Sequence, residues 1–302
     1  MSKRSHSDIV EKFKKADFDS DSGSESEDSN DMDIVNVDFD FFDPKDIDFH
    51  AIKRMVSTMF ADDQDMFDTS ELANMIVNQK LVGSTVKVSG EDDPYAFLTV
   101  LNMNSASNKI MDQIKKYLLD KCSRFASSET RSKFSEIMST SSTDRVGLLI
   151  NERLVNMPAQ IVPPMFKMLF EELEWAINDN EPYDFDYYIL IAPIYNEIQP
   201  PSSAPDDATT TTSTDRLIPG HVPSGPKKSR VEPQTFYFHP EDEFIEPFVA
   251  LKFDFRFSKN QRPPETRDSF NDFGLLPSKR CFVIHKSNLL PIYNKIHTVF
   301  KP

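Results

Sequence analysis

Glycine is scarce in this chain: seven among 302 residues, with no two closer than five positions. Dinucleotide sites need G-x-G-x-x-G and P-loops need G-x-x-x-x-G-K-[ST], because glycine lets backbone amides close on a phosphate. Gly220 and Gly225 have the P-loop gap, but Pro226 stands where the lysine belongs. A pyrophosphate cradle of a standard type is excluded. Cysteine is scarcer still. Cys122 and Cys281 stand far apart and form neither a disulfide framework nor a C-x-x-C metal motif, which points to a reducing compartment. Both fall in amphipathic or apolar segments where a buried free thiol is the ordinary outcome. No apolar run approaches the roughly 18–20 residues of a membrane span. The N-terminal Met1-Ser2-Lys3-Arg4 turns acidic without the apolar core of a secretory signal.

Basic residues are also in deficit: 34 Lys and Arg against 49 Asp and Glu, a net charge of −15. Broad binding to a phosphate backbone needs clustered cations, so direct nucleic-acid binding is not expected. Basic proteins are the natural partners of such a chain. Hydrophobic residues make up 38%, a low share, yet there are 25 phenylalanines, too many for a wholly disordered polymer. A real core diluted by polar segments reconciles the two.

Residues 1–50 hold fifteen acidic and six basic residues. The densest stretch, with Asp17, Asp19, Asp21, Glu25, Glu27 and Asp28, has little to bury, and residues 1–34 are expected to be a disordered acidic tail. Its carboxylates are candidate electrostatic contacts for a basic partner. Ser22 and Ser24 each have an acid three positions on, as acidophilic kinases prefer, and phosphate would deepen the negative field. A plain solubilising tail is the alternative. Residues 199–234 break the pattern again, with seven prolines, the run Thr209 to Thr212 and the basic cluster Lys227, Lys228 and Arg230. This reads as a flexible Pro/Thr-rich insert whose cations are either a nuclear-import signal or solvated linker.

Between these segments, patterning gives strands and helices in alternation. Val35 to Phe41 alternates strictly, the mark of a strand with one wet face. Phe49, Ile52, Met55/Val56 and Met59/Phe60 follow a helical stripe. Thr69 or Ser70 is expected to cap a helix running to Lys80 that Gly83 stops, followed by a strand Ser84 to Val88. Strands are expected at Tyr95–Met103, Val146–Ile150, Tyr187–Tyr195, 235–238, Val249–Ser258 and Cys281–His285. Helices are expected over Ser107–Lys121, Thr130–Met138 and from Pro163 to Ile177, with Pro163-Pro164 in the first turn. A final helix capped by Ser287 carries the stripe Leu289/Leu290, Tyr293, Ile296 and Phe300. The economical architecture is one α/β (α+β) domain over 35–302, a mixed central sheet flanked by helices, with the insert as an excursion. A division into two domains at the insert is the alternative.

Nothing assembles a catalytic site. The six histidines have no partner at i+3 or i+4, so there is no helical metal pair, and no G-x-S-x-G elbow occurs. No cofactor is implied. His239, beside Glu241, Asp242 and Glu243, reads as a strand-end histidine pairing with a neighbouring acid. Acid pairs such as Glu171-Glu172 are too common here to signify. Asn151-Glu152-Arg153, just past an apolar strand, suits a functional contact or a salt bridge equally.

The segment Val146 to Met165 carries V-G-L-L, then Glu152-Arg153, Asn156, Pro158 and Gln160-Ile161. It resembles the V-G-L-L-x-x-E-R-x-x-N-x-P-x-Q-I signature of the BCCIP family of eukaryotic nuclear proteins. Further matches run in order at Val35–Asp43, Asp48–Lys53, Gly83–Lys87, Tyr187–Ile191, Phe236–Phe244 and Phe253–Phe257. The resemblance implies an acetyltransferase (GNAT)-like fold without a working acyl-CoA site, and the Q/R-x-x-G-x-G/A loop for the CoA pyrophosphate is indeed missing. It implies a non-enzymatic nuclear protein that shuttles to the cytoplasm. Its role would be that of a chaperone and nuclear-export adaptor for a basic large-subunit ribosomal protein in ribosome biogenesis. The alternative it implies is a scaffold in DNA repair and cell-cycle control. An acyltransferase with an atypical site is a third, weaker reading.

Overall fold

A computed structural model describes residues 38–104, 108–139, 143, 145–197, 235–258 and 275–301. The elements in chain order are β1 (Phe39–Phe42), α1 (Phe49–Phe60), α2 (Thr69–Asn78), β2 (Ser84–Val88), β3 (Pro94–Asn102), α3 (Lys109–Phe125), α4 (Ser128–Ile137), β4 (Val146–Arg153), α5 (Val162–Asn178), β5 (Tyr187–Glu197), β6 (Thr235–Tyr237), α6 (Pro240–Ile245), β7 (Leu251–Phe255), β8 (Leu275–His285) and α7 (Leu289–Val299). All eight strands form one sheet in the order β1-β2-β3-β4-β5-β8-β7, with β6 attached to β5. Strands on both sides of residues 198–234 therefore share a sheet. Neighbours are antiparallel except β4 and β5, which run parallel and are joined through α5.

Helices α1 to α4 cover one face of this sheet and α5 to α7 the other. That explains the continuous apolar runs in the middle of the sequence. In β4, Leu148 and Ile150 point into one core while Leu149 points into the other. In β5, Ile189 and Ile191 oppose Tyr188, Leu190 and Ala192 in the same way. A strand buried on both faces has no polar side to alternate with. β1 and β7 lie at the sheet's edges, where alternation survives.

Several local expectations need correction. The N-cap of α2 is Asp68, whose carboxylate accepts hydrogen bonds from the Ser70 and Glu71 amides at 3.1 and 3.0 Å. Neither Thr69 nor Ser70 plays that part, because a carboxylate one residue earlier reaches both free N–H groups. The helix ends at Asn78, well before Gly83. Gly83 instead has φ +129°, and a Cβ there would stand 2.6 Å from Thr99 Oγ1, so close approach explains it. β4 continues to Arg153 and carries Asn151-Glu152-Arg153 inside the sheet. β7 is shorter than its alternation suggests, since Val249 closes a 3-10 turn over Glu246–Phe248. Ser287 lies within another 3-10 turn, Lys286–Asn288, and α7 begins only at Leu289. α7 buries Ile292 and Ile296, whereas Leu290 is 63% exposed. The short helix α6 has no counterpart in the sequence reading.

Two buried ion pairs fasten the α1–α4 face. Asp63 lies 3.0 Å from Lys121 Nζ and accepts from Tyr117 Oη at 2.9 Å and from the Ser258 amide at 2.7 Å. Burial alone would raise its pKa, but those donors hold it below the usual carboxylate range. Lys87 pairs with Asp48 at 2.7 Å. Cys122 and Cys281 are buried free thiols in this same core, and burial pushes both pKa values up, so neither is a reactive thiolate.

Candidate functional site

The parallel strands diverge. β4 and β5 are paired from Val146/Tyr187 to Leu149/Leu190 and no further, though both strands continue. β8 lines the opposite side of β5 along its whole length, so β6 enters on the β4 side and pairs at Ile194–Asn196. The chain then turns into α6, and its side chains fill the opening.

Glu241 is the centre of that plug. It accepts hydrogen bonds from Asn151 Nδ2 at 2.8 Å and from Arg153 Nη2 at 2.8 Å, while Arg153 Nη1 bonds its other oxygen. Both charged partners are buried. Burial alone would raise the Glu241 carboxyl, but the hydrogen bonds and charge of Arg153 reverse this and hold it low. Around it, burial raises Glu152 and Asp242, lowers Lys279, and depresses His239 to about 4. His239 Nδ1 stands 3.9 Å from Asp242, too far for a hydrogen bond, and is neutral at physiological pH. The expected histidine–acid ion pair is thus not formed; desolvation outweighs the attraction. Asn151-Glu152-Arg153 resolves to the salt-bridge reading, with Glu241 as partner.

The opening that parallel strands leave is where an open α/β sheet usually takes a ligand. Here it holds the protein's own residues. Among the described residues, no group of three or more His, Cys, Asp and Glu side chains could hold a metal ion. No helix among them is long and apolar enough to cross a membrane.

A surface site lies on the α5–α7 side. Phe170, Leu173 and Ile177 from α5, Phe185 and Tyr188 beyond it, and Leu289 and Leu290 of α7 line an open groove of about 580 Å³. α5 is anchored by Glu172, which accepts from the Gly83 amide at 2.7 Å and from Ser84 Oγ at 3.3 Å. Burial pushes that carboxyl up to about 7 despite those bonds. Its neighbour Glu171 projects toward solvent and pairs only loosely with Lys167, at 3.8 Å. Passing over the acid pair as too common to signify therefore missed Glu172.

Residues 171–186 contain seven acids and no Lys or Arg. Asp184 and Asp186 are shared between Arg145 and Lys286, with Lys286 Nζ 2.9 Å from Asp186. Among the described residues, Glu174, Asp179 and Glu181 are exposed and enter no ion pair. The result is an apolar groove whose rim carries the unpaired Glu174 and the Asp184–Lys286 pair, with the unpaired Asp179 and Glu181 just beyond it. The sequence signal for it was the acid-rich run itself, together with Leu290 and Ile177, which lie exposed beside it. The tail acids Asp17, Asp19, Asp21, Glu25, Glu27 and Asp28 lie outside the described residues, as do Ser22, Ser24 and the Lys227, Lys228 and Arg230 cluster.

These features define a protein of mixed α/β fold whose inter-strand opening is closed from within. A model of the BCCIP family matches residues 34–245, and the chain belongs to that family. It is 36% identical to Protein bcp1 of Schizosaccharomyces pombe over 88% of this chain and 90% of that one. It is likewise 36% identical to Protein bcp1 of Aspergillus oryzae over 89% of this chain and 88% of that one. The fold is similar to the crystal structure of BCP1 from Saccharomyces cerevisiae, with TM-score 0.55, 22% identity, and coverage of 91% of this chain and 93% of that one.

Proposed function

We propose that this chain is a non-enzymatic protein-binding protein, a chaperone and export adaptor for a basic large-subunit ribosomal protein. It would act in the nucleus and shuttle to the cytoplasm. The observation that carries this reading is the acidic face over residues 171–186, where Glu174, Asp179 and Glu181 have no cationic partner among the described residues, in a chain of net charge −15. A newly made ribosomal protein bears Lys and Arg meant for RNA phosphates. An acidic surface steers such a partner in, covers its charge, and yields it when RNA competes. The plug around Glu241 supports the non-enzymatic part, because the opening where an open α/β sheet usually takes a ligand is filled by the chain's own side chains.

In this reading the acids at Asp17, Asp19, Asp21, Glu25, Glu27 and Asp28 extend the field, phosphorylation of Ser22 and Ser24 strengthens it, and Lys227, Lys228 and Arg230 serve import. The folded face supplies specificity, since an acidic tract alone cannot tell basic proteins apart. Affinity purification from nuclear extract at low and high salt, read by mass spectrometry, tests it. A single basic large-subunit ribosomal protein released by salt is the expected result. Repair or cell-cycle proteins that survive high salt would overturn it in favour of a scaffold.

A further inference from the structure

We propose that the α5–α7 groove receives an amphipathic basic helix of the partner, whose apolar stripe seats on the floor while its Lys and Arg meet the acidic rim. The inference rests on the basic-client reading and names the part of the client that the site takes.

The floor carries the first half of the argument. Phe170, Leu173 and Ile177 recur at intervals of three and four, so they form one ridge along α5. Seven residues at about 1.5 Å each make that ridge roughly 10 Å long, about two helical turns. Leu289 and Leu290 form the facing wall. Two helices with an apolar trough between them are what a third helix needs in order to pack ridge into groove, with anchors at i, i+3, i+4 and i+7. Ile177 and Leu290 are 38% and 63% exposed, so the trough is open to solvent. An open apolar patch framed by charge marks a recognition surface.

The rim carries the second half and selects the occupant's charge. Glu174 lines the groove itself, and Asp179 and Glu181 follow at the end of α5. Asp184, also on the rim, is offset by Arg145 and by Lys286, which itself lines the groove, so the charge that repels an acidic partner is that of the unpaired Glu174, Asp179 and Glu181. An acidic amphipathic helix is thereby disfavoured. A purely basic, non-amphipathic segment would satisfy the rim and leave the floor wet.

The test uses the full chain and synthetic 14-residue Leu/Lys peptides of identical composition. One spaces Leu at i, i+3, i+4 and i+7; the other is shuffled so that no helical face is apolar. Fluorescence anisotropy should show the amphipathic peptide binding at least tenfold tighter. An Ile177→Ser, Leu290→Ser variant should erase that difference while binding the shuffled peptide as before. Both side chains are substantially exposed, and an unchanged thermal midpoint would show that the variant is folded. Equal binding of the two peptides, or a preference that survives in the variant, would overturn the groove assignment and leave the basic-client reading standing. Failure of both peptides to bind would overturn both. A Leu/Glu peptide of the same spacing should not bind; if it binds equally well, the rim has no role and the inference falls.

Discussion

Glu241 gives both carboxylate oxygens to the Arg153 guanidinium across a strand opening, from a helix 88 residues further along the chain. One end of this pair is the last residue of a parallel strand and the other the second residue of a six-residue helix, so the contact holds the plug in place. Breaking one side of a buried pair leaves an uncompensated charge, which costs about 3–5 kcal/mol. Glu241→Ala and Arg153→Ala should each lower stability by about that much in urea titrations. Glu241→Leu combined with Arg153→Met should recover most of the loss, because neither member of the pair is then left buried without the other. Additive losses in the double variant would show that the pair is not coupled.

Gly147 tests the packing of the central strand. A Cβ at this position would lie 2.6 Å from Val100 Cγ1 and 2.8 Å from Phe185 Cδ2. Neither neighbour is a flexible side-chain end, and overpacking of this kind costs about 1–3 kcal/mol. Gly147→Ala should lower the thermal midpoint accordingly, and adding Val100→Ala should restore part of it. Full tolerance would mean that β3 and β4 separate more easily than the paired strands suggest.

How much of this could be read from residues alone depends on the range of the interaction. The period-two pattern over Val35–Phe41 and the period-3.6 stripe from Phe49 to Phe60 are local; the stripe forms α1, and the part of the alternation from Phe39 on forms β1, while Val35–Val37 lie outside the described residues. The fold class followed from the alternation of such elements. The plug was not legible, because Asn151 and Glu241 are 90 positions apart and no local pattern couples them. Composition shows that His239 sits among acids; it does not show that the site is dry enough to keep the histidine neutral. Glu171 and Glu172 illustrate the same limit. They are adjacent in sequence but point about 100° apart on the helix, one toward water and one toward Gly83. Leu290 failed in the opposite direction: it fits the apolar stripe of α7 yet belongs to the groove wall.

Glu172 also sets a pH dependence. Its folded-state pKa of about 7 lies above the ordinary 4.5, chiefly through burial. Between those values the folded chain holds a proton that the unfolded chain has released. Stability therefore falls as pH rises through that window, by up to about 1.4 kcal/mol per pH unit for this one group. Glu172→Gln keeps an acceptor for the Gly83 amide and removes the titration. The variant should match the parent near pH 4.5 and exceed it above pH 7. His239, with its depressed pKa, contributes the opposite slope below pH 6.5, but that term is common to both proteins and cancels in the difference. Parallel stability–pH curves for the two would mean that Glu172 is not desolvated.

The acidic face makes a separable prediction about rate. Glu174, Asp179 and Glu181 are exposed and outside any ion pair among the described residues, so replacing all three by Lys should change stability by no more than about 0.5 kcal/mol per site. It should nonetheless change the field that an approaching basic partner meets. Reversing three charges shifts the net charge from −15 to −9 and inverts its local sign beside the groove. Electrostatic steering accounts for factors of about 10 to 1,000 in association rate at low salt. The association rate with the salt-released client should therefore drop at least tenfold at low ionic strength, with a flatter salt dependence and a smaller change in dissociation. Stopped-flow mixing across a salt series separates these terms. An unchanged association rate would place client capture elsewhere on the molecule, whereas a loss confined to dissociation would mean that the rim acts after docking.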